Sequence, residues 1–257
     1  MANVPAGAYL VDAVRTPRGK GRPDGTLAQM APVEMLAQMY GALDDRVPGA
    51  TTATDHLTVG CVGQVGPQGG HIGLVSKIYA GLPEAMPAAT INNFCVSGLS
   101  AIGQSARAAA LGDVDIALAG GVESMSQVPF LGDKAAYYTD PTLAAKTRFL
   151  PVAISADALA TREGIGREAL DKTTLESHRR AAAVETDTGA QRSRVSLRNA
   201  DGDVVLERDE LVRPGMAMEK LASMESAFAE LGKVYDQVAV AGIDGLDAVD
   251  RGSAPGS

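Results

Sequence analysis

The 257-residue sequence is short of basic charge, of cysteine and histidine, and of long apolar runs. Lys and Arg total 23 against 31 Asp and Glu, giving a net charge of -8. That balance offers no broad electrostatic attraction for nucleic acid or an anionic membrane, and neither is expected as a partner, although a local basic patch for an anionic ligand stays open. No apolar stretch approaches the length needed to cross a bilayer. The opening MANVPAGAYLVDAVRTPRGK lacks a basic segment followed by an apolar core and a small-residue cleavage site, so no secretory signal is expected. Only two cysteines occur, Cys61 and Cys95, in different contexts. They suggest free thiols in a cytoplasm rather than a disulfide framework. No Cys, His, Asp and Glu cluster has metal-ligand spacing, so no metal is expected. Internal repeats and low-complexity runs are absent.

What is present is a chain with 46% hydrophobic residues, long enough to bury a sizeable core. Ala8 to Val14 reads as a buried strand. Met35, Leu36, Met39, Tyr40 and Leu43 recur at the spacing of one helical face between Pro32 and Leu43. The grammar then repeats: a strand from His56 to Val62, a helix from Ile72 to Ala80, a breaker at Gly81-Leu82-Pro83, and a strand through Ala88 to Ile91. Leu99, Ile102, Ala106 and Ala109 line one side of a third helix closed by Gly112, and the strand Asp115 to Ala119 follows. Alternating strands and helices of this kind build right-handed crossovers and a mostly parallel sheet covered by helices. Residues 1–123 are therefore expected to form an α/β domain.

From 124 to 232 the pattern changes. Pro129, Pro141, Pro151 and Pro214 interrupt the chain, and helical patterns run from Ser155 to Glu163 and from Arg167 to Val184. The segment VSLRNADGDVVLERDE carries Asp201-Gly202 between two apolar runs, a hairpin signal. The expectation is a largely helical insertion with a small β element. Residues 233–257 read as a return segment toward the first domain, ending in the loop-like GSAPGS.

Within TINNFCVSGLSAIGQSARAAALG, Cys95 falls between the strand ending near Asn92 and the helix beginning near Ser97. Its side chain is expected at the carboxyl edge of the sheet, where open α/β sheets bind ligands. Free N–H groups at the helix start favour thiolate, by about 0.3–1 kcal/mol, which still leaves it a minority species at neutral pH. An efficient nucleophile would also want a histidine or another cation. None of the three histidines has an obvious claim: His178 lies on a strongly polar helix, His56 precedes a strand, and His71 sits in a Gly-rich turn and reads as a surface or capping residue. GCVGQVGPQGG matches neither a Walker loop nor a dinucleotide fingerprint and reads as a flexible turn. GGVESMS could bring Glu123 and Met125 to the sheet edge near Cys95, or be only a tight exit from the last strand.

With these residues placed, the sequence resembles the N-terminal half of a thiolase. The resemblance is carried by VDAVRTPRGK at Val11 to Lys20, AGLPEAMPAATINNFCVSGLSAI at Ala80 to Ile102, GGVESMSQVP at Gly120 to Pro129, SADALATREGIGRE at Ser155 to Glu168, and DELVRPGMAMEKLASMESAF at Asp209 to Phe228. It implies a mixed, mostly parallel sheet with helices on both faces and a helical loop domain that cradles coenzyme A. It implies that Cys95 takes an acyl group as a thioester while its backbone N–H helps hold the carbonyl oxygen, so that a 3-ketoacyl-CoA is formed or cleaved. Arg213 would lie against the adenine, with Met224 and Phe228 making apolar contacts and Val152 near the pantetheine. The substrates would be acyl-CoA and CoA, with no bound cofactor, and the whole enzyme would be a homo-oligomer, dimer or tetramer, in fatty acid metabolism.

Two departures qualify that picture. Many relatives read His-Met-Gly where this chain reads Pro151-Val152-Ala153, which removes a usual polar contact. The family's later Gly-His-Pro, Asn-containing and Cys-x-Gly-Gly-Gly segments do not occur, and Cys61, set early on a strand, is no substitute. The expectation is therefore an incomplete chain, inactive alone. The alternative is a non-catalytic CoA-binding or scaffold subunit pairing with a separate C-terminal half. Val234 to Ala254 is longer than in short biosynthetic members and points to a degradative or broader-chain type.

Overall fold

The structure is a computed structural model and describes residues 7–251; the GSAPGS stretch, read above as loop-like, lies outside the described residues. The chain divides into two compact units, Met1–Asp133 with Thr188–Leu211, and Lys134–Asp187 with Val212–Ser257.

In the first unit, helix α1 (Pro32–Arg46) starts with Pro32 at its first position, where a missing N–H costs nothing. Glu34 reaches back to accept the Ala31 N–H at 3.1 Å. Strand β1 (His56–Gly60), helix α2 (Ile72–Tyr79), strand β2 (Ala88–Ile91), helix α3 (Ser97–Leu111) and strand β3 (Ala117–Gly121) follow in the expected alternation. The strands form a parallel sheet in the order β2-β1-β3, with Leu57 opposite Ala88 and Leu118. Gly112 closes α3 in the left-handed conformation at φ 79°, as a glycine there should.

Period-two alternation along β1 gives the sheet two unlike faces. Leu57, Val59 and Cys61 point into a hydrocarbon cluster with Leu36 and Tyr40 of α1, Ile72 of α2, and Met86. The Tyr40 hydroxyl is satisfied there by Ser76 Oγ at 3.0 Å. Thr58 and Gly60 point the other way, onto α3. Thr58 Oγ1 accepts from Ser105 Oγ at 3.4 Å. A Cβ on Gly60 would meet the Ser97 carbonyl carbon at 2.3 Å, and one on Gly121 would meet Gly98 Cα at 3.1 Å. Helices thus cover both faces, α1 and α2 on one and α3 on the other.

That close approach revises the stripe read on α3. The helix buries Ser97, Ala101 and Ser105, because only small side chains fit over a glycine-floored sheet. Leu99 and Ile102, expected in the core, are 69% and 47% exposed. Ala8 to Val14 is likewise not a strand. Tyr9 is 86% exposed, and Leu10 and Val11 are exposed beside it. An apolar run does not say which neighbour takes its N–H and C=O groups, and here backbone pairing starts only at Arg15, which exchanges bonds with Ser193 and Val195. The third strand sits two residues later than read: Asp55 Oδ2 accepts the Asp115 and Ile116 N–H groups at 2.8 and 2.9 Å, so those amides pair with a side chain and not with a neighbouring strand.

The hairpin of β4 (Leu197–Arg198) and β5 (Val204–Leu206) forms at Asp201-Gly202 as expected, with Gly202 at φ 88°. It belongs to the first unit, not to the helical insertion. Leu197 is fully buried among Leu27, Met30 and Met35. Asp209 receives both Arg15 Nη atoms at 2.7 and 2.9 Å and the Arg18 N–H at 2.8 Å. Hydrogen bonding from Arg15, helped by the Arg18 amide, holds the Asp209 carboxyl down at about 2.

The second unit holds the short helices α4 (Ala136–Thr139) and α5 (Pro141–Lys146), then α6 (Val152–Arg162), α7 (Arg167–Ala183), α8 (Met218–Ala222) and α9 (Ala229–Gly242). Ile154 and Ala158 of α6 pack with Ala239 of α9 and with Leu246. Arg251 bonds Asp157 at 2.8 Å and Asp236 at 2.6 Å. Residues 233–251, read as a return toward the first domain, instead form most of α9 and its exit, because Tyr235, Ala239 and Leu246 bury their apolar surface within this unit.

Candidate active site

Cys95 is exposed and lies in the four-residue stretch between the end of β2 at Ile91 and the N-cap of α3 at Val96. That is the carboxyl edge of the parallel sheet, where every strand delivers its chain end to the same side. Among the described residues the Cys95 sulfur carries no hydrogen bond. The loop around it is tightly bonded. Asn92 Oδ1 accepts the Phe94 N–H at 2.9 Å, an Asx turn, and Asn92 Nδ2 donates to the Val62 carbonyl at 3.3 Å. Ser97 Oγ accepts the Asn93 N–H at 2.8 Å and donates to the Phe94 carbonyl at 2.6 Å. Asn93 Nδ2 donates to Ser100 Oγ at 2.8 Å. Phe94 is thereby kept at φ 47°, a left-handed conformation that costs a bulky residue about 1–3 kcal/mol.

The neighbouring strand ends are locked in the same manner. Glu123, just past β3, accepts the Val62 N–H at 2.8 Å, the Gly63 N–H at 3.2 Å and Gln68 Nε2 at 2.7 Å. Gln68 is fully buried; its Nε2 also donates to the Gly63 carbonyl at 2.9 Å, and its Oε1 accepts the Ser124 N–H. The Gly-rich stretch after β1, read as a flexible turn, is therefore fixed by a buried amide and an anchored carboxylate. Glu123 holds backbone, and Met125 is half-exposed.

The other candidates take distinct places. His71 is the N-cap of α2, its Nδ1 accepting from the Leu74 N–H and paired with Thr90 Oγ1, both at 3.0 Å. His56 opens β1, at the edge opposite Cys95, beside a cleft lined by Asp55, Pro87 and Asp113. His178 lies on α7 in the second unit, where its Nδ1 accepts the Arg213 N–H at 3.3 Å. Cys61 lies one residue beyond β1, not early on it, and is 1% exposed. Burial, reinforced by the Glu123 charge, pushes its thiol up to about 12. Val152, Arg213, Met224 and Phe228 all belong to the second unit and all are exposed. Val152 opens α6, Met224 follows α8 and Phe228 caps α9. None of the four joins the cluster around Ile154. Among the described residues no group of His, Cys, Asp and Glu could hold a metal ion, and no helix is long and apolar enough to cross a membrane.

Sequence reading brought Glu123 to the edge without its role of holding backbone, and missed Asn92 and Gln68 as residues that shape it. The signal for Asn92 was present, an Asn two positions before an aromatic residue in a strand-to-helix turn, which is Asx-turn chemistry.

A parallel α/β sheet here presents an exposed cysteine on a braced turn at the edge where open sheets bind ligands. Comparison with known proteins narrows the class. The pattern of the thiolase N-terminal domain matches residues 8–246, and the chain belongs to the thiolase family. It is 34% identical to the beta-ketoadipyl-CoA thiolase of Pseudomonas aeruginosa over 84% of this chain and 58% of that protein. It is 33% identical to the 3-ketoacyl-CoA thiolase of Erwinia tasmaniensis over 85% and 57%, respectively. The beta-ketoadipyl-CoA thiolase of Acinetobacter baylyi is 32% identical over 94% of this chain and 65% of its own length. The chain thus spans less than two thirds of the length of these relatives.

Proposed function

We propose that this chain is the nucleophile-bearing part of an acyltransferase that forms or cleaves a 3-ketoacyl-CoA, with Cys95 as acyl acceptor. The observation that carries the reading is the exposed Cys95 sulfur on the Asx-braced turn at the carboxyl edge of the sheet. The Cys95 thiolate attacks the carbonyl carbon of the acyl donor, a new C–S bond forms, and the bond to the leaving group breaks. In the cleavage direction the α-carbon of the departing acyl-CoA takes a proton; CoA thiolate then attacks the enzyme thioester and releases Cys95. The thioester formed has nearly the free energy of the one it exchanges with, so the step is readily reversible. Among the described residues no side chain bonds the sulfur, so this reading assigns the proton-handling role to none of them.

The second unit is proposed as the CoA cradle, with Arg213 against the adenine, Met224 and Phe228 as apolar contacts and Val152 toward the pantetheine. Their exposure and their positions at helix ends or in a loop support this, since a cradle needs reachable side chains.

The test is CoA-dependent cleavage of acetoacetyl-CoA by the protein and its Cys95→Ala variant, together with intact mass after mixing with acetyl-CoA. The wild type is expected to gain one acetyl group on Cys95, and the variant to gain none and to turn over no substrate. Measurable cleavage at equal rates in the two proteins, or an equal acetyl gain by both, would overturn the assignment; where neither cleaves, the acetylation result decides. CoA binding without acetylation of Cys95 would favour a non-catalytic binding subunit instead.

A further inference from the structure

We propose that Asn92 is a positioning residue for the Cys95 sulfur, supported from the end of β3 by Glu123; the proposal rests on the reading of Cys95 as acyl acceptor. Asn92 uses both ends of its carboxamide. One end accepts the Phe94 N–H at 2.9 Å, and the other donates to the Val62 carbonyl at 3.3 Å. The same Val62 residue donates its N–H to Glu123 Oε2 at 2.8 Å. A line of bonds therefore runs from the exit of β3, through the exit of β1, to the exit of β2, and stops one residue before Cys95. The strands lie in that physical order in the sheet, so the line crosses no gap.

The geometry shows what this line achieves. Phe94 sits at φ 47°, a conformation that a phenylalanine avoids without support, and its N–H is held by Asn92 while its carbonyl is held by Ser97. Phe94 is thereby held through the peptide before it and the peptide after it, and the second of these, which leads into Cys95, sets the direction in which the Cys95 side chain leaves the backbone. Glu123 carries no such grip itself. Its part is to keep Val62 where the Asn92 carboxamide can reach it, with Gln68 as a further ligand on the same carboxylate.

Positioning predicts a loss in the chemical step and not in substrate binding. Asn92→Ala, made in the protein, is expected to lower kcat for acetoacetyl-CoA cleavage about tenfold to a hundredfold, the cost of a sub-ångström misplacement, with KM unchanged. The rate of Cys95 alkylation by iodoacetamide should change in parallel. Asn92→Ser keeps a neutral acceptor that can form the weaker ST turn to Phe94 N–H and is expected to recover part of the loss; it also serves if Asn92→Ala does not fold. Glu123→Ala should reproduce the kcat loss in milder form. Wild-type kcat and alkylation rate in the folded Asn92 variants would overturn the proposal, as would a defect confined to KM. Cys95→Ala separates the two levels. If it stays active, the acyl-acceptor reading fails whatever Asn92 does; if it is inactive while the Asn92 variants behave as wild type, only the positioning claim falls.

Discussion

The two faces of the small parallel sheet are built on opposite principles. One is filled with hydrocarbon, Leu57 and Val59 meeting Leu36 and Ile72, and its stability comes from volume removed from water. The other is stripped of volume: Gly60, Gly98 and Gly121 let α3 lie almost against the strands. The first face holds the fold together, and the second brings the start of α3, and with it Cys95, over the strand ends. The contrast teaches that a helix can be positioned as firmly by what its contact lacks as by what it contains.

The sharpest way to break the contrast is to swap the operations. Leu57→Ala removes volume from the hydrocarbon face and should lower unfolding free energy by about 2–5 kcal/mol, read from urea denaturation. Gly60→Ala adds one carbon to the other face, where it meets backbone rather than a flexible side chain. It should cost about 1–3 kcal/mol and, unlike Leu57→Ala, should also depress turnover out of proportion to the loss in stability, because α3 must move. If Leu57→Ala and Gly60→Ala impaired turnover equally at matched stability, the two faces would not differ in role. A smaller effect is expected from Ser105→Ala, whose 3.4 Å bond to Thr58 is long; under about 1 kcal/mol should be lost.

Alkali sharpens the comparison from the other side. The hydrocarbon face contains two acids, Cys61 and Tyr40, and burial pushes each up to about 12 from ordinary values of 9.0 and 10.0. The unfolded chain would release those protons first. Stability should therefore be intact below about pH 9 and fall as pH rises toward 12. Tyr40→Phe should flatten part of that fall in the urea midpoint, and an unchanged slope would show that the phenol is not shielded. At pH 8, iodoacetamide should label Cys95 and spare Cys61 until denaturant is added, since one sulfur is exposed and the other is 1% exposed.

How much of this was legible beforehand follows the same division. Helices α1, α2 and α3 and strands β1 and β2 were readable because their signals are local: periodicity, Pro32 at a helix start, Gly112 at a helix end. The position of Cys95 between strand and helix was readable for the same reason. The buried stripe of α3 was not, because apolar periodicity marks the greasy side of a helix and this sheet accepts the small side. The supposed strand at Ala8 failed because side-chain pattern carries no information about backbone partners. The hairpin's allegiance was hidden by distance along the chain, since Arg15 and Asp209 are 194 residues apart. At the site, the cysteine was visible as a residue type and Glu123 as a neighbour of the edge, whereas the backbone groups that Asn92 and Glu123 hold, at Phe94, Val62 and Gly63, are fixed only by the fold.

The hairpin's place in the first unit has a practical corollary. The backbone passes from one unit to the other near residues 133, 187 and 211. A single protease cut at any one of these crossings would leave the units joined through the rest, and neither could be excised or transplanted as one uninterrupted stretch. Anyone wishing to exchange the second unit for that of a relative would have to splice at three places and preserve the Arg15–Asp209 clasp while doing so.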